Sequence, residues 1–169
     1  MPTLSQLNQA ARTAAKQLLE TKTQLVLAES CTGGMVAASL TGVPGISQSL
    51  CGSFVVYQTD CKKHWLGVDA ALLAKSGPVC RDVASQLAHG ALAKTRQAGL
   101  SVTITGHFGP HAPAGMDGLV FIGIGTRHGK TIRTKVQRIV LPTFARNQRM
   151  NRQRLAAIEV LKTVTAAAS

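Results

Sequence analysis

Three side chains carry the chemistry this sequence can do: Ser30, Tyr57 and Lys62. Ser30 lies in Ala28-Glu29-Ser30-Cys31-Thr32-Gly33-Gly34, between the apolar run Leu25-Val26-Leu27 and the small-residue pattern Met35-Val36-Ala37-Ala38-Ser39-Leu40. A hydroxyl there sits where a strand turns into a helix. The backbone N–H groups of Cys31, Thr32, Gly33 and Gly34 are then free to point at whatever binds. The stretch reads as a nucleophile, an anion cradle, or both.

A serine needs a base to attack at neutral pH. Glu29 is adjacent, but neighbouring residues at a strand end point to opposite faces. His64, His89, His107, His111 and His128 show no triad spacing. A lysine is the better partner. Tyr57 closes a second strand, and Lys62 follows on a short helix; if the two strands are neighbours, both converge on Ser30. A lysine desolvated among apolar groups and other cations loses basicity and can accept a proton. Tyr57 would relay that proton or hold the amine. The same spacing suits an ordinary strand aromatic and a solvated lysine, and it does not choose between Lys62 and Lys63.

These residues need a scaffold to hold them. With 169 residues, 45% apolar and 15% charged, the chain suits one domain, residues 1–169, with a real core. No apolar run approaches the roughly 20 residues of a bilayer span. The first residues lack the layout of a signal peptide, so a soluble cytoplasmic protein is expected. The four cysteines, Cys31, Cys51, Cys61 and Cys80, form no CxxC pair and read as free thiols, with no metal site. Cys31 suits either a reactive thiol or a small packed residue.

Net charge is +12, from 19 Lys and Arg against 7 Asp and Glu. Between Arg127 and Lys162, ten basic residues face a single acid, Glu159. That field favours anionic partners: a phosphorylated small molecule, nucleic acid, or simply water around a basic face. With aromatics at 4% and no nucleic-acid motif, nucleic acid is the weaker reading.

Hydrophobic periodicity predicts helices over 3–21, with Thr3 as N-cap, and over 33–40, 59–65, 70–75, 79–98 and 144–165. It predicts strands over 24–28, 52–57, 100–105, 119–125 and 131–141, the last two a hairpin. A long glycine- and proline-containing loop spans 106–117. The alternation predicts an α/β/α sandwich on a mixed sheet.

At the residues quoted above, the chain resembles the C-terminal domain of the competence-induced protein CinA. The likeness runs through Ala28–Gly34, then Gly52-Ser53-Phe54-Val55-Val56-Tyr57, Lys62 with Leu66-Gly67-Val68, Gly77-Pro78-Val79-Cys80, and Thr105-Gly106-His107-Phe108-Gly109-Pro110. Stand-alone members of that family are nicotinamide-nucleotide amidohydrolases. The resemblance implies that Ser30 attacks the carboxamide of nicotinamide mononucleotide, that Lys62 takes its proton and that Tyr57 supports the transfer, without cofactor or metal. It implies oxyanion donors in Cys31–Gly34, and phosphate ligands among Thr32, the backbone of Gly106–Gly109 and Arg149. It also implies a homo-oligomer, with a dimer expected.

The sequence departs from the family pattern in places. Gln58-Thr59-Asp60 stands for Ser-Asn-Glu, and Cys80 for a serine. The loop reads Gly106-His107-Phe108-Gly109-Pro110-His111-Ala112-Pro113 where the family has Gly-Ile-Ala-Gly-Pro-Asp-Gly-Gly. The alternatives this leaves are an amidase of other specificity, or a nucleotide- or nucleic-acid-binding relative without activity.

Overall fold

The computed structural model describes residues 1–169. In chain order they form α1 (Leu4–Thr21), β1 (Leu25–Glu29), α2 (Met35–Thr41), a 3-10 turn (Ile46–Gln48), β2 (Leu50–Val55), α3 (Thr59–Leu66), α4 (Ala70–Ser76), α5 (Arg81–Lys94), β3 (Leu100–Gly106), β4 (Leu119–His128), β5 (Thr131–Val140) and α6 (Gln148–Ala167). The strands make one mixed sheet in the order β2-β1-β3-β4-β5. β1 runs parallel to β2 and β3, and β4 runs antiparallel to β3 and β5.

Side-chain alternation on the strands divides the core in two. Leu25, Leu27, Val102, Ile104, Val120 and Ile122 face α1, α2 and α6, packing with Leu18, Val36, Leu40, Ala157 and Leu161. Val26 and Ala28 face the other way, against Leu66 of α3, Leu73 of α4 and Val83, Leu87 and Ala91 of α5. Helices therefore cover both faces, as a sheet buried on both sides requires. α5 lies so close to β4 that a Cβ on Gly123 would sit 2.2 Å from the Ala84 carbonyl oxygen, so only glycine fits there.

Position within this fold selects the functional end. The connection from β1 to β2 runs over one face through α2. The connection from β2 to β3 crosses the other face through α3, α4 and α5. The chain thus leaves the carboxyl ends of these parallel strands in opposite directions, which opens a crevice of the kind that binds ligands in α/β sheets.

Several element bounds differ from the sequence expectation, each for a local reason. α5 starts at Arg81 rather than 79, because Cys80 is extended (φ −152°, ψ 170°). It ends at Lys94 because the Arg127 guanidinium bonds the Leu92, Thr95 and Ala98 carbonyls, taking the place of further helical turns. α6 begins at Gln148 rather than 144, after Asn147 turns through the left-handed region (φ 51°). β2 stops at Val55 because Val56 and Tyr57 turn their carbonyls toward Lys62. No helix is long and apolar enough to cross a membrane.

Candidate active site

Ser30 caps the carboxyl end of β1. Its N–H still donates to the Ile104 carbonyl of β3 at 3.1 Å, while the Glu29 carbonyl accepts the Val56 N–H at 2.8 Å. The backbone around Ser30 is thus pinned from both neighbouring strands, and its side chain is left at the top of the sheet.

Lys62 reaches it from the first turns of α3. Its Nζ lies 2.9 Å from Ser30 Oγ, 2.7 Å from the Val56 carbonyl oxygen and 3.1 Å from the Tyr57 carbonyl oxygen. Lys62 is only 1% exposed, whereas Lys63 on the same helix faces solvent. Burial penalises the ammonium form and pushes the Lys62 amine down to about 8 from its ordinary 10.5. A neutral amine keeps two N–H bonds, one for each carbonyl, and its lone pair then meets the Ser30 hydroxyl. The two carbonyls thus orient the amine toward Ser30 Oγ.

The expectation for Tyr57 changes in detail. Its backbone carbonyl touches Lys62, while its phenol oxygen accepts from Arg149 Nη2 at 2.8 Å, and the ring is 57% exposed. The phenol is engaged on the rim, where it steadies an arginine from α6. Arg149 also donates to the Gly109 carbonyl at 2.9 Å, joining the two walls of the site.

A cavity of about 190 Å³ opens over Ser30 and Lys62, bordered by Cys31, Tyr57, Val79, Thr105, the 106–112 segment and Arg149. No carboxylate borders it, but Lys62, His107, His111 and Arg149 do. Thr105 Oγ1 donates to the Pro78 carbonyl, which fixes the wall at the 77–80 turn. Phe108 is 2% exposed and sends its bulk into the core beneath α6. Burial pushes the His107 imidazole down from its ordinary value, so it favours the neutral form.

The anion cradle expected across Cys31–Gly34 requires a correction. The Gly33 N–H donates to the Ser30 carbonyl at 3.1 Å, and the Gly34 N–H to the Glu29 carboxylate at 3.0 Å. Thr32 is buried, its carbonyl accepts from Gln153 Nε2, and its hydroxyl has no partner. Thr32, Gly33 and Gly34 do not border the cavity, whereas Cys31, Gly106, Gly109 and Arg149 do. The N–H groups of Cys31 and Thr32 donate to no other residue. The Cys31 thiol is pushed up to about 12, chiefly by burial, so it stays protonated and does not compete as a nucleophile.

Two residues that sequence reasoning passed over hold the site together. Glu29 is 1% exposed, and its carboxylate accepts from the N–H groups of Gly34, Val36 and Ala37 and from Ser53 Oγ. Arg152, also 1% exposed, forks onto both Asp117 carboxylate oxygens at 2.7 and 2.8 Å and bonds the Phe108 and Pro142 carbonyls. It anchors the 106–118 loop to α6 and holds the Asp117 carboxyl below the usual carboxylate range. At Gly109 (φ +66°) a Cβ would sit 2.8 Å from Asp117 Oδ1, so a side chain there would push against this anchor. The Glu29 signal was present as an acid just before a helix's first turn; the Arg152 pairing had no local signal.

No group of three or more His, Cys, Asp or Glu side chains comes together to hold a metal. A larger groove of about 780 Å³ lies between α1 and α6, but it brings no base to a hydroxyl.

Comparison with known proteins assigns the lineage. Residues 7–165 match the family described as the CinA C-terminal domain. The chain belongs to that family. A CinA-like protein of Geobacter metallireducens is 40% identical over 119 residues, covering 69% of this chain and 29% of that protein. A CinA-like protein of Thermotoga maritima is 36% identical over 147 residues, 86% of this chain and 34% of that one. The chain spans about three-tenths of the length of the curated CinA relatives it matches. Among solved structures, the competence/damage inducible protein CihA from Agrobacterium tumefaciens superposes with a TM-score of 0.86 at 29% identity, over 97% of this chain and 96% of its own. The competence damage-inducible protein A of Klebsiella pneumoniae shares the fold, with a TM-score of 0.85 at 22% identity.

Proposed function

We propose that this CinA-family domain is an amidohydrolase that deamidates nicotinamide mononucleotide. One observation carries the reading: a buried lysine amine 2.9 Å from a serine hydroxyl, its other two partners both carbonyl oxygens. That is the arrangement of a nucleophile and its base. The substrate comes from the family resemblance and is supported by Arg149 at a cavity that no carboxylate borders.

The chemistry follows from the geometry. Neutral Lys62 takes the Ser30 proton as Oγ bonds the carboxamide carbon, and the carbonyl oxygen gains the negative charge. The Cys31 N–H, on the residue after the nucleophile, is the donor for that oxyanion, a contribution of about 3 kcal/mol in well-studied hydrolases. The C–N bond then breaks as Lys62 returns its proton to nitrogen, and ammonia leaves. Water attacks the ester, Lys62 takes its proton and hands it to Ser30 Oγ, and nicotinic acid mononucleotide is released. Arg149 and the Gly106–Gly109 backbone are the ligands for the phosphate. Assembly as a homodimer belongs to the same proposal.

A second reading, an amidase of other specificity, is favoured by His107 and His111 in the segment bordering the cavity. An ammonia-release assay on purified protein, run on nicotinamide mononucleotide and a panel of other amides, separates the two. Release from nicotinamide mononucleotide alone supports the first reading. Turnover of other amides only supports the second. Activity that survives Ser30→Ala overturns both.

A further inference from the structure

The reaction uses two of the chain's cations, Lys62 and Arg149, and leaves most of the +12 charge without a part. Of the 19 lysines and arginines, only Lys16, Arg152 and Lys162 pair with a carboxylate. The fold gathers many of the others at the end of the sheet away from Ser30. Leu25 of β1, Leu100 of β3, Thr126 of β4 and Arg133 of β5 form one row across the sheet there. The segments that meet at this row, 20–24, 94–100 and 126–135, carry seven lysines and arginines. They carry one acid, Glu20, which pairs with Lys16. Arg127 turns inward onto the Leu92, Thr95 and Ala98 carbonyls. The other six, Lys22, Lys94, Arg96, Lys130, Arg133 and Lys135, are exposed.

The surface among them is hollowed. A groove of about 710 Å³ runs between β4, β5 and the end of α6, with Arg133, Lys135 and His128 on its wall. Arg133 and Lys135 stand two apart on one strand and so face the same way. A second hollow of about 380 Å³, with Lys22 on its wall, meets the groove at Thr126 and Ala167. No Asp or Glu lines either hollow, and no aromatic side chain does.

This distribution selects the kind of anion. The cations are spread over three chain segments instead of converging on one point, which suits a charge that is itself spread along a chain. Single strands are held by stacking their bases on aromatic side chains, and this surface offers none. A duplex needs none, because its affinity comes from its phosphates, one charge per roughly 1.7 Å of axis. An extended acidic peptide carries about half that charge density.

We infer that this end of the domain is a docking surface for a double-stranded nucleic acid, held through its phosphate backbone and without sequence preference. The surface is separate from the Ser30–Lys62 cavity, and its role does not depend on the amidohydrolase reading.

The experiment is fluorescence anisotropy with a labelled DNA duplex of about 20 base pairs, at about 50 and 200 mM salt. It compares the parent with two double variants, Arg133→Gln/Lys135→Gln and Arg12→Gln/Lys75→Gln. The second removes the same charge from exposed positions on α1 and α4. In the parent, affinity should fall about 100-fold between the two salt concentrations, the dependence of about four phosphate contacts. Arg133→Gln/Lys135→Gln should weaken binding at least about tenfold at the lower salt and reduce the slope of log affinity against log salt by about two. Arg12→Gln/Lys75→Gln should stay within about threefold of the parent. Unlabelled duplex should displace the probe better than polyglutamate and at least as well as a single strand of the same length. Three results overturn the inference: no binding of the duplex at the lower salt, an equal loss in both double variants, or stronger displacement by the single strand or by polyglutamate.

Discussion

The two walls of the cavity are built in different ways. The Ser30–Lys62 wall is buried and is fixed largely by backbone groups. Strand ladders hold Ser30, two carbonyls hold Lys62, and Glu29 clamps the turn behind them. The Gly106–Asp117 wall is more exposed and is held by long side chains from another element. Arg149 and Arg152 reach it from α6, and Arg152 meets Asp117 across 35 residues of sequence. Under the proposed function, the first wall determines the kind of reaction and the second what is admitted to it. A family can therefore vary the loop while keeping the nucleophile, and His107 and His111 stand on the variable side.

The largest effects should come from breaking the first wall. Lys62→Met and Ser30→Ala should each lower ammonia release by at least about 1,000-fold, and the double variant should lose little more, because the pair acts as a unit. Lys62→Met should keep or raise the melting temperature, since it removes a buried amine in favour of an apolar side chain of similar length. Circular dichroism melts alongside the assay would check both. A strongly destabilised Lys62→Met would mean that the lysine serves the fold.

Breaking the second wall should do less, and differently. Arg152→Met frees the loop from α6 and should lower kcat/KM about 10- to 100-fold, as expected for a misplaced binding wall. The smallest effect belongs to Tyr57→Phe. If the phenol only steadies Arg149, kcat/KM should fall about twofold to tenfold, mostly through KM, in line with one rim hydrogen bond. A loss in kcat of a hundredfold or more would restore Tyr57 to proton transfer and blur the distinction between the walls.

This division also explains what the sequence made legible. A continuous apolar run marks β1, β-branched and aromatic residues mark β2 and the glycines mark the turn, so Ser30 and a lysine at 62 or 63 were legible in the sequence, and the resemblance picked out Lys62. The mixed character of the sheet and its layered helical cover follow from the same patterns, whereas the strand order β2-β1-β3-β4-β5 does not. The other features depended on contacts without local signature. Strand alternation rightly turned Glu29 away from Ser30, but gave no hint that its carboxylate would close the α2 turn. That closure takes the Gly34 N–H, and the Ser30 carbonyl takes that of Gly33, so the expected cradle there has no free donors. The phenol of Tyr57 meets Arg149 across 92 residues, and the true starts of α5 and α6 depend on single residues, Cys80 and Asn147.

The account stands or falls on Lys62 as the base for Ser30. Burial pushes its amine down to about 8, so the neutral form grows from about a tenth at pH 7 to half at pH 8. The decisive measurement is the pH dependence of kcat/KM for ammonia release from nicotinamide mononucleotide between pH 6 and 9.5, in the parent and in His107→Gln. The account predicts a rate that rises about tenfold per pH unit below pH 8, levels off above it, and keeps that inflection when His107 is replaced. A flat profile, or an inflection below the ordinary imidazole range that disappears in His107→Gln, would contradict it, the latter moving the base to the loop.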